Sequence, residues 1–338
     1  MRFFVFTVAM LNTKAMKMNK RTNQYIVFVI FFSLFLFFSC KQKTTEKEPK
    51  QQTRYDTYSG ELNVAADAGL ESILNQEEEI FDYMYDSVQT NFSYKNEKEM
   101  FEDFKSKKAT VLLLSRELEK SEINDLKNLD TIYIRQQALA YDAVALIGSK
   151  DFDDENLDME VLKKYFDPKS SSTATPRLVF ENQQSSSVRF VLDKLGYKEK
   201  VSSNVYALQS AEEVLNYVAA NKNVIGFIPF NRVSDTDDVR VKKILENVKI
   251  LSLRAKSADG KLIRVSANQS DIAAGDYPLI RTVNAVTRYT YEDNLELLLV
   301  GFLSREKGAK IFLKAGLIPV KMPERTIVVN ESEVTGSK

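Results

Sequence analysis

The chain has 338 residues, 28% of them charged and 44% apolar, the proportions of a globular protein large enough for one big domain or two lobes. Lys plus Arg and Asp plus Glu balance at 47 each, with no basic stripe of the kind that nucleic-acid binders carry. One cysteine excludes an internal disulfide, and the absence of histidine removes the commonest general base and the commonest transition-metal ligand.

Residues 1–39 hold Arg2, Lys14, Lys17, Lys20 and Arg21 and no acid. An uncharged run, 22–39, follows, with its apolar heart at 25–38, shorter than the ~20 residues a spanning helix needs. A basic segment before such a run reads as a signal peptide over 1–39. Ser39-Cys40 ends it, and the pattern resembles a bacterial lipoprotein signal, which implies Cys40 as the lipidated N-terminus after cleavage. Phe37 stands where such signals usually have leucine, and an uncleaved anchor is the other reading. Met16 or Met18 makes a more typical start than Met1. Residues 40–58 are polar and aperiodic, a flexible tether. From 59 onward the balance is acidic, 37 basic against 44 acidic residues.

Residues 61–66 alternate as a strand, and Leu70, Ile73, Leu74, Phe81 and Tyr85 then share a helical face. A strand at 88–94 follows, and then a helix marked by Met100, Phe101 and Phe104 with Asn96 as cap. The continuous apolar run 110–114 suits a strand buried on both faces. This order makes the first lobe α/β. Strands at 132–138 and 141–147 can cross to a second lobe, with a helix at 158–166, a strand at 177–180, a helix at 185–195 closed by Gly196, and a strand at 204–208. A helix at 211–220, a buried strand at 224–229, and strands at 248–253 and 262–265 continue the pattern. The chain ends in a strand at 280–290, helices at 293–303 and 304–315, a possible strand at 326–329, and a disordered tail at 331–338. We expect lobe 1 at 59–144 plus 268–330, lobe 2 at 145–267, and a ligand cleft between them.

The stretch Glu181-Asn182-Gln183-Gln184-Ser185-Ser186-Ser187-Val188-Arg189 places three hydroxyls at a helix start, where unpaired N–H groups and the positive dipole end favour anions. Ser185 or Ser186 can equally serve only to cap the helix. A serine nucleophile lacks a base here, and the acidic runs 76–79 and 151–155 lack the glycine and spacing of an EF-hand, so no catalytic residue, metal or cofactor is expected.

Four stretches in order resemble the phosphate-binding protein of bacterial ABC importers, a type II periplasmic binding protein. They are residues 156–166, 223–230 (Asn-Val-Ile-Gly-Phe-Ile-Pro-Phe), 276–281 (Asp-Tyr-Pro-Leu-Ile-Arg), and 302–310 with 316–320 (Gly-Leu-Ile-Pro-Val). The resemblance covers about 60–330. It implies a two-lobed α/β fold, each lobe a mixed sheet flanked by helices, and a non-enzymatic, monomeric solute-binding lipoprotein. Such a protein faces the periplasm, captures inorganic phosphate or a similar oxyanion, and delivers it to an ABC transporter permease. By the same resemblance the ligand residues lie in three loops: Ala68 and Gly69, then Ser115 and Arg116, then Ser185, Ser186 and Ser187. Three departures stand out: the first loop lacks the family's hydroxyls, Leu114-Ser115, followed by Arg116, stands where the family has a Ser-Asp pair, and Glu181 replaces an arginine. Arg116 or Arg189 can supply the missing charge; Arg116 can instead form a structural ion pair, Arg189 can face solvent or pair with an acid, and Glu181 can pair with either. A divergent surface lipoprotein that has lost tight phosphate binding is the alternative reading.

Overall fold

The computed structural model describes residues 58–129, 133–170, 175–198, 200–257, 259–289 and 295–323. The signal segment, Cys40, all of the tether but Tyr58, the strand expected at 326–329 and the tail lie outside the described residues. No helix among the described residues is long and apolar enough to cross a membrane.

Strand β1 (Gly60–Asp67) runs parallel to β2 (Val88–Lys95) and β3 (Val111–Leu114), with α1 (Glu71–Met84) and α2 (Glu97–Lys105) as the connections. All four residues of β3 are buried, as its unbroken apolar run predicts. Asn96 starts α2 by accepting from Glu99 N at 3.1 Å.

The two strands expected at 132–138 and 141–147 are one, β4 (Tyr133–Ser149). Its partner β11 (Ile280–Tyr289) pairs Val283 with Ala140 and Asn284 with Ala138, so Leu139 is a one-residue bulge. That bulge is what breaks the alternation in sequence. Beyond it β4 stays paired with β11 as far as Ala143, then pairs with β7 (Val224–Pro229) and β8 (Val248–Ile250). One strand therefore runs through both halves of a sheet ordered β2-β1-β3-β11-β4-β7-β5-β6, where β5 is Arg177–Phe180 and β6 is Val205–Ala207. Strands β9 (Ser252–Lys256) and β10 (Leu262–Ser266) form a separate antiparallel pair, and β12 (Ile318–Pro319) joins β4.

The remaining helices are α3 (Lys120–Leu129), α4 (Met159–Phe166), α5 (Ser186–Leu195), α6 (Ala211–Ala220), α7 (Val239–Leu245), α8 (Gln269–Ala274), α9 (Leu295–Leu303) and α10 (Glu306–Lys314). Helices α3, α7 and α8 escape the periodicity reading because each is short or mostly polar.

Two cores flank the crossing. One gathers Leu62, Val64, Phe81, Leu299 and Phe312, with Met100, Phe104 and Leu112 on the opposite sheet face. The other gathers Phe166, Phe180, Val191, Val214 and Phe227, where Phe180 stacks on Phe227 at 4.4 Å between ring centroids. A side chain at Gly226 would come within 2.7 Å of Val214, so α6 can lie this close to β7 only over a glycine. β5 runs parallel beside β7, with Val179 opposite Gly226, and leads into the loop before α5.

Candidate functional site

Three strand ends deliver the site. β1 ends in Asp67 and a 3-10 turn, Ala68–Leu70. β3 is followed directly by Ser115, and β5 leads through Glu181 into α5. Between them lies Arg281 of β11, fully buried and paired in register with Asp142 of β4. Its Nε donates to Asp142 Oδ2 at 2.9 Å, its Nη2 lies 2.8 Å from the same oxygen, and its Nη1 donates to Ser186 Oγ at 3.0 Å. The guanidinium thus ties the crossing strand to the first residue of α5.

Asp67 faces the same space. Its Oδ1 accepts from Gly69 N at 3.0 Å and its Oδ2 accepts from the Ser115 hydroxyl. A side chain at Gly69 would sit 3.4 Å from Asp67 Oδ1 and 3.8 Å from Arg281 Nη2, so the turn and the guanidinium are neighbours. Glu181, also buried, completes a cluster of three carboxylates around one arginine. Burial pushes the Glu181 carboxyl up; the nearby hydroxyls and Arg281 oppose this without cancelling it. Burial also raises Asp142, against the pull of Arg281. For Arg281 itself burial works against the charge, but the fields of Asp142, Asp67 and Glu181 outweigh it and the guanidinium stays charged.

The expected ligand residues divide. Gly69, Ser115 and Ser186 converge on Arg281 and Asp67. Ser187 is wholly buried beside Glu181, and its Oγ and Glu181 Oε2 have no hydrogen-bond partner among the described residues. Ser185 caps α5, accepting from Val188 N at 3.3 Å, so the structural role foreseen for one serine falls to it. Ala68 contributes a carbonyl, which accepts from Arg232 at 3.4 Å.

Arg116 is an ion-pair residue. Its Nε meets both oxygens of Glu97 at 3.1 and 3.0 Å, its Nη1 meets Glu122 and the Glu117 carbonyl at 2.8 Å each, and its Nη2 meets Glu97 at 2.9 Å and Glu122 at 2.8 Å. A guanidinium has five N–H donors, and these contacts engage every nitrogen. Arg189 reaches Glu97 at 2.6 Å, Glu119 at 2.8 Å and Asp193 at 3.6 Å. The cation that Glu181 feels is neither of these but Arg281, which local pattern did not single out. An acid, Asp142, inside the otherwise apolar strand expected at 141–147 was the available signal that a buried cation lies opposite.

The lobes also meet directly. Glu97 of α2 is shared by Arg116 and Arg189, the second of these from α5. Asn96 donates to Gln184 at 3.1 Å. Asn231, in the 3-10 turn after β7, donates to the Gly69 carbonyl at 3.0 Å and accepts from Ser72 at 3.2 Å. The first loop is therefore held from both sides of the cleft.

Two α/β halves sharing long strands, with loop ends from both meeting over buried polar groups, define a two-lobed binding-protein fold. The chain belongs to the PBP superfamily, whose domain matches residues 47–313. No curated protein matches the sequence. Among solved structures the chain is similar to a phosphate ABC transporter-type substrate-binding protein from Clostridium perfringens, solved with bound phosphate, at 19% identity and TM-score 0.61, covering 78% of this chain and 100% of that one. An ABC-type phosphate transport receptor from Vibrio cholerae matches at 16% identity and TM-score 0.59, covering 77% and 100%. PstS from Borrelia burgdorferi matches at 18% identity and TM-score 0.52, covering 78% and 100%. At these identities the likeness concerns the fold, and it agrees with the type II, two-lobed architecture expected from sequence.

Proposed function

We propose that this chain is a solute-binding lipoprotein of the cell envelope that captures a small oxyanion, inorganic phosphate first, between its lobes and passes it to an ABC permease. The observation that carries the reading is Arg281, a buried and permanently charged guanidinium joined to Ser186 at the start of α5, with the Gly69 N–H and the Ser115 hydroxyl beside it. A dry guanidinium with neutral donors around it favours a small anion. Two of the similar structures, the substrate-binding protein with bound phosphate from Clostridium perfringens and the phosphate transport receptor from Vibrio cholerae, support phosphate as the first ligand to try. The binding residues we assign are Gly69, Ser115, Ser186, Ser187 and Arg281, with lobes divided near 144 and 268 and a monomeric state. Phosphate at ~100 times a micromolar Kd should stabilise the protein by ~2.7 kcal/mol, read as a rise in Tm. No rise with phosphate, at concentrations up to millimolar, defeats the phosphate reading.

The anchor is a separate proposal, resting on the Ser39-Cys40 junction after an apolar run. The expressed protein should incorporate labelled palmitate, and Cys40→Ser should abolish the label. Equal labelling of the two proteins removes Cys40 as the anchor. A second reading, a binding-protein-like lipoprotein without tight phosphate binding, is favoured by one observation: the cleft holds three carboxylates to one guanidinium.

A further inference from the structure

The donors best placed to receive an oxyanion already hold one. Asp67 accepts the Gly69 N–H through one oxygen and the Ser115 hydroxyl through the other, and Arg281 feels its charge. Asp67 is itself buried. Capping the 3-10 turn needs only the Gly69 contact; the bond to Ser115, 48 residues away on another strand, does nothing for that turn. A neutral Asn or Ser would cap as well. The charge is therefore superfluous to the local fold. The site also keeps unspent capacity close by, in the buried Ser187 Oγ and in Arg281 Nη2, which touches Asp142 but makes no well-directed hydrogen bond.

We propose that the Asp67 carboxylate is a tethered competitor, which occupies the oxyanion donors of the cleft and thereby sets the affinity and selectivity of the site. The inference rests on the oxyanion reading above. An incoming anion must take Gly69 N–H, Ser115 Oγ and part of the field of Arg281 away from a carboxylate that the chain supplies at high local concentration. It must also approach a like charge, a juxtaposition that suppresses binding strongly at short range in a dry site. Affinity is then lowered for every oxyanion, most of all for fully ionised ones.

Calorimetric titration with inorganic phosphate and with sulfate, on the unchanged chain, Asp67→Asn and Asp67→Ser, tests this. Both variants keep a capping oxygen, and circular dichroism with melting in buffer checks that they fold. The expected result is phosphate binding at least ~10-fold tighter in both variants, with a larger proportional gain for sulfate. A residue that merely shaped the loop would weaken binding when replaced, so tightening is the distinguishing sign. If the unchanged chain binds phosphate and both folded variants bind it equally or more weakly, the competitor role is overturned while the oxyanion reading stands. If none of the three proteins binds either anion, the oxyanion reading itself falls and takes the competitor with it.

Discussion

Replacing Arg281 with methionine should cost about 3–5 kcal/mol of stability and abolish phosphate binding. The stability loss follows from what the guanidinium leaves behind. Asp142 is wholly buried, and its Oδ2 has Arg281 for its partner, while its Oδ1 already lacks one. Removing one member of such a pair strands a charge in the interior, which costs about 3–5 kcal/mol, more than the pair itself contributes. Ser186 Oγ loses a donor as well. The double variant Arg281→Met with Asp142→Leu separates stability from function. Exchanging both partners for apolar groups leaves no orphan charge, so most of the lost stability should return. Phosphate binding should not return, because no guanidinium is then left against Ser186: Arg116 and Arg189 are bound to Glu97, Glu119, Glu122 and Asp193, and Arg232 donates to the Ala68 carbonyl of the first loop. Urea unfolding gives the first quantity and titration calorimetry the second. Retention of phosphate affinity in either variant removes Arg281 from the site.

The same residue marks where sequence reading stops. Local patterns located most elements: the Asn96 cap, the all-apolar β3, the Gly196 end of α5, and the loops that bear Gly69, Ser115 and Ser186. These signals lie within a few residues of what they predict. Arg281 and Asp142 stand 139 positions apart, and only the register of β11 on β4 brings them together. Nothing near either residue writes that register. The bulge at Leu139 also disguised β4 as two strands, so the crossing was expected but not as one continuous strand that carries Asp142. For Arg116 the sequence left two readings open, a ligand cation and a structural ion pair, and the structure shows the ion pair. Its place after a buried strand suggested a ligand cation, yet Glu122 lies six residues on and Glu97 nineteen back, and a guanidinium saturates on carboxylates that close. Glu181 was legible as a departure from the family but not as a carboxyl pushed up by burial, because burial is a property of the assembled cleft.

Glu77→Leu should stabilise the protein by ~3 kcal/mol at pH 7. Glu77 sits on the inner face of α1, wholly buried, and both its oxygens lack a partner among the described residues. Burial alone pushes its carboxyl up to about 9. The folded state therefore keeps the group protonated where the unfolded chain ionises it. A folded-state value raised above the unfolded one gives stability that is complete below pH ~4.5 and is lost as the pH rises towards 9. Each pH unit in that window costs about 1.4 kcal/mol, which gives ~3 kcal/mol between pH 4.5 and 7. Leucine is apolar and of similar volume, so it removes the ionisation and fills the same space among Leu74, Phe81 and their neighbours. The stability of the unchanged chain should fall from pH 5 to pH 8, and Glu77→Leu should flatten that slope. It should not remove it, because the buried carboxyls of Glu181 and Asp142 are raised in the same direction and add to it with the same sign. The decisive comparison is the urea midpoint of both proteins at pH 5 and at pH 8. A variant that gains nothing at pH 8 relative to pH 5 would mean that Glu77 finds a proton donor or a charge partner inside the fold, and the buried-acid account of α1 would then be wrong.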